Sequence, residues 1–241
     1  MKKFLPLITL LLPITLFGQV KFGPEMGVNM AMMNQTTKFG NQSTRKTSDI
    51  SPGIRAGVNV DIKVVENFYI QTGAFYQWNN IKFSDEIDLS FYNLSNAKQI
   101  RKYSVNSFQI PVYAMYKSGF EGNGRFFIGA GPYFGYTFNA SQKNKMPSTP
   151  LFDEKTGKYS YSTTLTEYDL SLGDNPQTDQ LLNMDYGLNA TMGYESSVGL
   201  YFRGNFNYGL ANVTPGASKD NFRRNWGFGL SIGVLLGKDN W

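Results

Sequence analysis

The feature that most constrains this chain is an alternation of period two. Eight segments of about ten to fifteen residues place apolar side chains at every second position and small or polar ones between, the pattern of half-buried β-strands. Phe22 to Met33 sets Phe22, Pro24, Met26, Val28, Met30 and Met32 against Gly23, Glu25, Gly27, Asn29 and Ala31. Gly53 to Lys63 sets Ile54, Ala56, Val58, Val60 and Ile62 against Arg55, Gly57, Asn59, Asp61 and Lys63. The same two-faced pattern recurs in Phe68 to Asn79, Tyr103 to Lys117, Arg125 to Asn139, Met184 to Glu195, Leu200 to Leu210 and Trp226 to Leu236. In Arg125 to Asn139 the small or polar face is Gly129, Gly131, Tyr133, Gly135, Thr137 and Asn139. A strand that crosses a bilayer at a tilt needs about 9–11 residues, so these segments have the right length.

Alternation alone fits two architectures with opposite insides. A soluble exported β-sandwich would bury the apolar face and expose the charges. A membrane barrel would turn the apolar face to lipid and the charges to its lumen. Glu25, Arg55, Asp61, Asp185, Glu195 and Arg203 all fall on the glycine-rich face, and an Arg facing lipid at mid-bilayer costs ~2–4 kcal/mol. The connections favour the barrel. They run roughly 34 to 52, 64 to 67, 83 to 102, 118 to 124, 141 to 183, 196 to 199 and 211 to 224, alternating long and short. Bacterial barrels join an even number of strands by short periplasmic turns and longer outer loops. The expected fold is therefore all-β, an eight-stranded antiparallel up-and-down transmembrane β-barrel with short periplasmic turns and long extracellular loops. Aromatics near strand ends, such as Tyr69, Trp78, Tyr116, Tyr194 and Trp226, suit interfacial girdles.

The start of the chain fits the same destination. Lys2 and Lys3 precede an apolar stretch from Phe4 to Phe17 that holds Pro6 and Pro13, and Gly18 follows. That stretch is too short for a membrane span and reads as a secretory signal, so residues 1–18 are expected to be a signal peptide and 19–241 the barrel domain.

Of 241 residues none is His or Cys, which removes Ser-His-Asp and Cys-His nucleophile systems, Cys/His zinc sites and disulfides. The formal net charge of +5 includes Lys2 and Lys3 and forms no basic stripe, so nucleic acid is not expected as a partner. Gly129-Ala130-Gly131 lacks the spacing of a dinucleotide loop and the alternation continues through it; strand glycines that allow close packing explain it. Acidic groups in the outer connections are Asp85, Glu86 and Asp88, then Asp153 and Glu154, then Asp169, Asp174 and Asp179, none at calcium-loop spacing. No catalytic residue, metal or cofactor is expected. The six lumen-facing charges are expected to be a paired plug, because an eight-stranded barrel is just wide enough for side chains to fill it. Within 141–183, Tyr159, Tyr161, Thr163 and Leu165 alternate, so strands extend beyond the membrane there and offer a protein partner a docking edge.

Four runs carry a resemblance. Ser107-Phe108-Gln109-Ile110-Pro111-Val112, Gly129-Ala130-Gly131-Pro132-Tyr133-Phe134-Gly135-Tyr136, Asp185-Tyr186-Gly187-Leu188-Asn189-Ala190 and Tyr208-Gly209-Leu210 resemble the PorT-like outer-membrane β-barrel family of Gram-negative bacteria. The similarity extends from about Phe22 to the C-terminus, with Pro111, Gly129, Gly131, Pro132, Asp185, Gly187 and Gly209 as its motif positions. It implies an eight-stranded barrel in the outer membrane, mostly of unassigned function, whose namesake takes part in protein secretion and gliding assembly. It transfers no catalytic residue. The ending Gly237-Lys238-Asp239-Asn240-Trp241 departs from the terminal Phe such barrels commonly carry but keeps an aromatic, so recognition of the C-terminal strand by the barrel-insertion machinery is expected. The expected partners are thus outer-membrane lipid, that machinery and a protein at the outer loops. The expected role is structural or interactive, such as that of a secretion or assembly accessory. A rival from another class is a membrane enzyme that uses carboxylates in the lumen or at the rim.

Overall fold

The computed structural model describes residues 20–120, 123–216 and 221–237. The signal peptide expected at 1–18 and the terminal Trp241 lie outside them.

Eight long strands close into a ring: β1 (Val20–Phe39), β3 (Ser51–Val65), β4 (Phe68–Ile87), β5 (Ala97–Phe120), β6 (Gly124–Pro147), β10 (Met184–Glu195), β11 (Leu200–Gly209) and β12 (Asn221–Val234). Each pairs antiparallel with its successor, and β12 returns to β1 with Val28 opposite Leu230. At one end the connections are short: Glu66 and Asn67 join β3 to β4, and 196–199 join β10 to β11. Asn67 (φ 63°) and Gly199 (φ 83°) supply the left-handed backbone that such tight reversals need.

The ring is inside-out relative to a soluble protein. Arg55, Asp61, Glu195 and Lys117 are each 1% exposed, whereas Phe126 is 71% and Leu230 67% exposed. An apolar band this large around a protein needs a non-aqueous neighbour, which removes the sandwich alternative. Aromatic pairs mark its two rims. Phe68–Tyr116 and Phe126–Tyr194 (centroids 5.2 and 5.1 Å) lie toward the short turns, and Phe108–Phe138 with Tyr76 lies toward the other end.

Above that upper rim the pattern inverts. On β4, Ile81 and Phe83 point inward and are buried (4% and 1% exposed), while Lys82 and Ser84 face out. Here the outside of the strand meets water and the inside holds an ordinary apolar core. With Met33, Ala140, Leu170, Leu181 and Val213 they form one cluster, joined by Tyr103 and Val105. β5 and β6 reach 24 residues each, more than twice a membrane crossing. The expected connections at 34–52 and 83–102 are consequently shorter. β1 runs on to Phe39 and pairs with β2 (Gln42–Thr47), and only 88–96 separate β4 from β5. The connection 148–183 holds β7 (Leu151–Asp153), β8 (Lys158–Ser160) and β9 (Thr163–Asp169); β7 and β8 form a hairpin and β9 pairs with β6.

One inner position is corrected. The pairing of β5 with β6 steps from Ser107–Thr137 to Asn106–Asn139, so Phe138 is the extra residue of a bulge. The phase shifts there, which leaves Asn139 exposed and makes Ala140 the next inward residue.

The outer loops fold back over the mouth. Leu170 donates its amide to the Ala140 carbonyl (2.8 Å), Thr137 to Asn183 (2.7 Å) and Leu182 to Val213 (3.0 Å). These bonds hold Leu170, Leu181 and Val213 as an apolar lid on the barrel.

Candidate functional site in the lumen

Each strand contributes a polar side chain to the lumen every second residue, and the register decides which of them meet. Glu25 of β1 stands between two guanidiniums, Arg55 (Nε to Oε1, 3.5 Å) and Arg203 (Nη1 to Oε2, 3.1 Å). Its carboxylate also accepts from Asn59 (2.5 Å), the Tyr201 hydroxyl (2.8 Å) and the Ser231 hydroxyl (2.9 Å). Arg203 donates in turn to Gln71, and Gln71 to Asp61 (3.3 Å).

Nearer the short turns a second centre gathers. Lys117 bridges Asp61 and Glu195 at 2.7 Å each, and Glu195 also receives Lys21 (3.1 Å) and Arg125 (3.0 Å). The two centres form one chain of contacts from Glu25 to Glu195. Aromatic faces close the gaps: the Arg55 guanidinium sits 3.6 Å over the Phe75 ring, and the Lys117 ammonium 4.7 Å from the Tyr69 centroid. Gly57 and Gly73 flank Phe75 so tightly that a Cβ at either would overlap the ring and a neighbouring carbonyl.

Of the six charges expected to face the lumen, five belong to this network and Asp185 does not. Asp185 lies higher, where its Oδ2 accepts from the Tyr133 hydroxyl and the Asn225 amide, both at 3.2 Å. The sequence reading missed three cations, Lys21, Lys117 and Arg125. All three share the parity of the inner positions on their strands but stood at or just outside the ends of the alternating segments. Parity carried one or two residues further finds them.

The motif positions serve packing. Gly187 and Gly209 leave the space taken by Tyr133, whose hydroxyl reaches Asp185. A Cβ at Gly131 would overlap the Val112 carbonyl and one at Gly129 the Met115 side chain. Pro111 faces inward and its carbonyl accepts from Thr72 (2.8 Å), while Pro132 faces out.

Among the described residues no group of three or more His, Cys, Asp or Glu is placed to hold a metal ion. In the outer loops, the Ser171 hydroxyl and the Asn175 amide hold the Asp179 carboxyl below the usual carboxylate range. That acid therefore orders its own loop.

The family pattern described as outer membrane protein beta-barrel domain matches residues 15–215. No curated protein matches the chain. Solved structures similar to it include the outer membrane protein OprG from Pseudomonas aeruginosa, with 9% identity, TM-score 0.46 and coverage of 92% of this chain and 97% of that one. The attachment invasion locus protein Ail of Yersinia pestis gives 6%, 0.32, 90% and 99%, and the outer membrane protease OmpT from Escherichia coli 10%, 0.36, 91% and 96%.

Proposed function

Since the chain belongs to the outer membrane protein β-barrel domain family and stands in the outer membrane, we propose that it is a non-enzymatic, non-conducting barrel that holds an extracellular β-platform for a macromolecular partner. The carrying observation is a lumen filled at both levels. A salt-bridged plug occupies the lower part and the apolar lid of Leu170, Leu181 and Val213 the upper. The pairing of the plug's three acids supports the non-enzymatic reading. Glu25, Asp61 and Glu195 are each tied to a cation, and the one lumen hydroxyl on a carboxylate of the plug's upper centre besides Tyr201, Ser231, donates to a Glu25 held by two guanidiniums. A hydroxyl so placed has no free base to activate it.

The platform is the surplus length of β4, β5 and β6 with β9 laid on it. Every residue of β9 is exposed, with Leu165 at 71%, and among the described residues only β6 pairs with it, so its second edge can take an extended segment of a partner. The exposed Phe91, Phe152 and Tyr159 form an aromatic group with the half-buried Tyr92 in the outer loops. The finer placement with PorT-like barrels, and with it a role as a secretion or assembly accessory, is supported by the convergence of the motif residues Asp185, Gly187 and Gly209 with Tyr133 at one point of the lumen. Insertion through the last strand is supported by its outward row of Phe228, Leu230 and Ile232.

The test pairs two measurements. Purified barrel in a planar bilayer is expected to give no ohmic conductance, and a photo-crosslinking residue at Leu165 is expected to capture one defined partner in intact cells. Steady conductance, or crosslinks at Leu165 no different from those at an exposed residue across the ring such as Ser43 of β2, would refute the reading.

A further inference from the structure

Between the charged plug and the apolar lid lies a cavity of about 80 Å³. A single water needs only ~10–15 Å³, so the space suits a small ligand. The walls are amide-rich and include one charged side chain, Asp185, with no Lys or Arg among the lining residues. Its Oδ2 is occupied by Tyr133 and Asn225, whereas Oδ1 is buried without a hydrogen-bond partner among the described residues. A buried carboxylate oxygen in that state is costly unless something donates to it.

The amides around it are oriented alike, and the plug sets their direction. Arg55 can only donate, so Gln109 presents its Oε1 to it (3.2 Å), and Gln77 Nε2 donates to the same oxygen (2.7 Å). Gln77 is thereby turned with its own oxygen toward Asn79, whose Nδ2 donates to it (3.1 Å). The relay ends on Asn79 Oδ1, which is buried and open. Across the cavity Asn225 gives its Nδ2 to Asp185 and keeps Oδ1 open, and Asn207 Oδ1 is open as well. On Asn79, Asp185, Asn207 and Asn225 the buried atoms left without a partner are all acceptors, and the one such donor in the wall among the described residues is the Trp226 indole N–H.

We propose that this cavity is a binding site for a small primary ammonium group on a short apolar stem. Three N–H donors match three or four open acceptors, and the carboxylate matches the charge. A calcium or magnesium ion would want six or more oxygens, and zinc would want His or Cys, which the chain lacks. Here one carboxylate is roofed by Met33, Val105 and Leu181, which suits an alkyl stem. Those three residues also line a second cavity of about 430 Å³ that continues outward beneath the loops, so they form the neck through which a ligand enters. Below the site five cations of the plug, Lys21, Arg55, Lys117, Arg125 and Arg203, face three carboxylates. That surplus stops a cation from travelling on, and the site is a dead end reached from outside the cell. This goes beyond the platform role and does not rest on it.

The experiment uses the folded barrel in detergent micelles, with amide NMR shifts followed during titration at neutral pH with ethylammonium, ethanol and sodium ion. Saturable shifts at Asn79, Asp185 and Asn225 are expected with ethylammonium alone. Asp185→Asn is expected to weaken binding at least about tenfold while the heat-modifiable fold persists. Leu181→Trp, which fills the neck and leaves Asp185 intact, is expected to abolish it, and this variant decides the matter if Asp185→Asn does not fold. Ethylammonium giving no saturable shift, ethanol binding as well, sodium alone binding, or unchanged binding in either folded variant would overturn the proposal.

Discussion

Glu195→Ala will destabilise the barrel by on the order of 3–5 kcal/mol. The carboxylate is 1% exposed and shared by Lys21, Lys117 and Arg125. Its removal leaves three cations in a sealed space with Asp61 as the sole remaining acid of that centre. Taking one partner from a buried ion pair costs more than the pair was worth, because the other charge keeps its desolvation penalty. A second substitution that removes a stranded cation, Arg125→Leu, should therefore return part of the loss, and the two changes should couple by roughly 0.5–3 kcal/mol. Urea unfolding of protein refolded into lipid vesicles measures all three variants. A Glu195→Ala midpoint indistinguishable from the parent would mean that water reaches these charges.

Leu230→Arg and Leu165→Arg will separate by several kcal/mol even though the two leucines are equally exposed, at 67% and 71%. Leu230 lies on β12, paired with Val28 and Gly204 within the apolar band. An Arg there faces lipid near the bilayer centre, at a cost of ~2–4 kcal/mol. Leu165 lies on β9, opposite Lys145 and beyond the band, where its side chain already meets water. The same substitution should move stability there by no more than about 0.5 kcal/mol. Exposure alone cannot tell these sites apart; only the solvent differs. Equal costs at both positions would place both in the same solvent.

The membrane-spanning part of the fold was legible because its solvent is uniform. Along Phe68 to Trp78 or Trp226 to Leu236, lipid outside and polar filling inside impose one phase of alternation, and the charges on it fix which face is which. The extracellular part was legible only in pieces. Ile81, Phe83, Tyr103 and Val105 alternate with Lys82, Ser84, Lys102 and Ser104 as regularly as any segment below. Their apolar set points inward, however, because the outer solvent has changed from lipid to water. Scanning for a single phase ends the strands where the phase flips, which is why 34–52 and 83–102 were expected to be connections. The bulge at Phe138 breaks the phase in a second way, by one inserted residue, and carried Asn139 to the wrong face.

The lumen shows a similar division. Register brought Glu25 to Arg55 and Arg203 from three strands, and parity alone had put all three inside. It could not say that Asp185 stands apart from the plug. That depends on the stagger of β10 along β6, where Asp185 pairs with Gly135 and Glu195 with Arg125, ten residues down the same strand. Nor could composition reveal the amide relay from Arg55 to Asn79, since it runs across β3, β5 and β4 and takes its direction from a donor that cannot accept.

Because the chain contains no Cys, single cysteines carrying nitroxide labels can report each solvent separately, and this tests the inside-out barrel most directly. In lipid vesicles, labels at Phe228, Leu230 and Ile232 are predicted to collide with oxygen dissolved in the bilayer and not with a water-soluble nickel chelate. A label at Leu165 is predicted to show the reverse, and one at the buried Asn205 to be shielded from both. Labels at Phe228, Leu230 and Ile232 that collide with the nickel chelate as readily as the one at Leu165 would contradict the barrel and its filled lumen together.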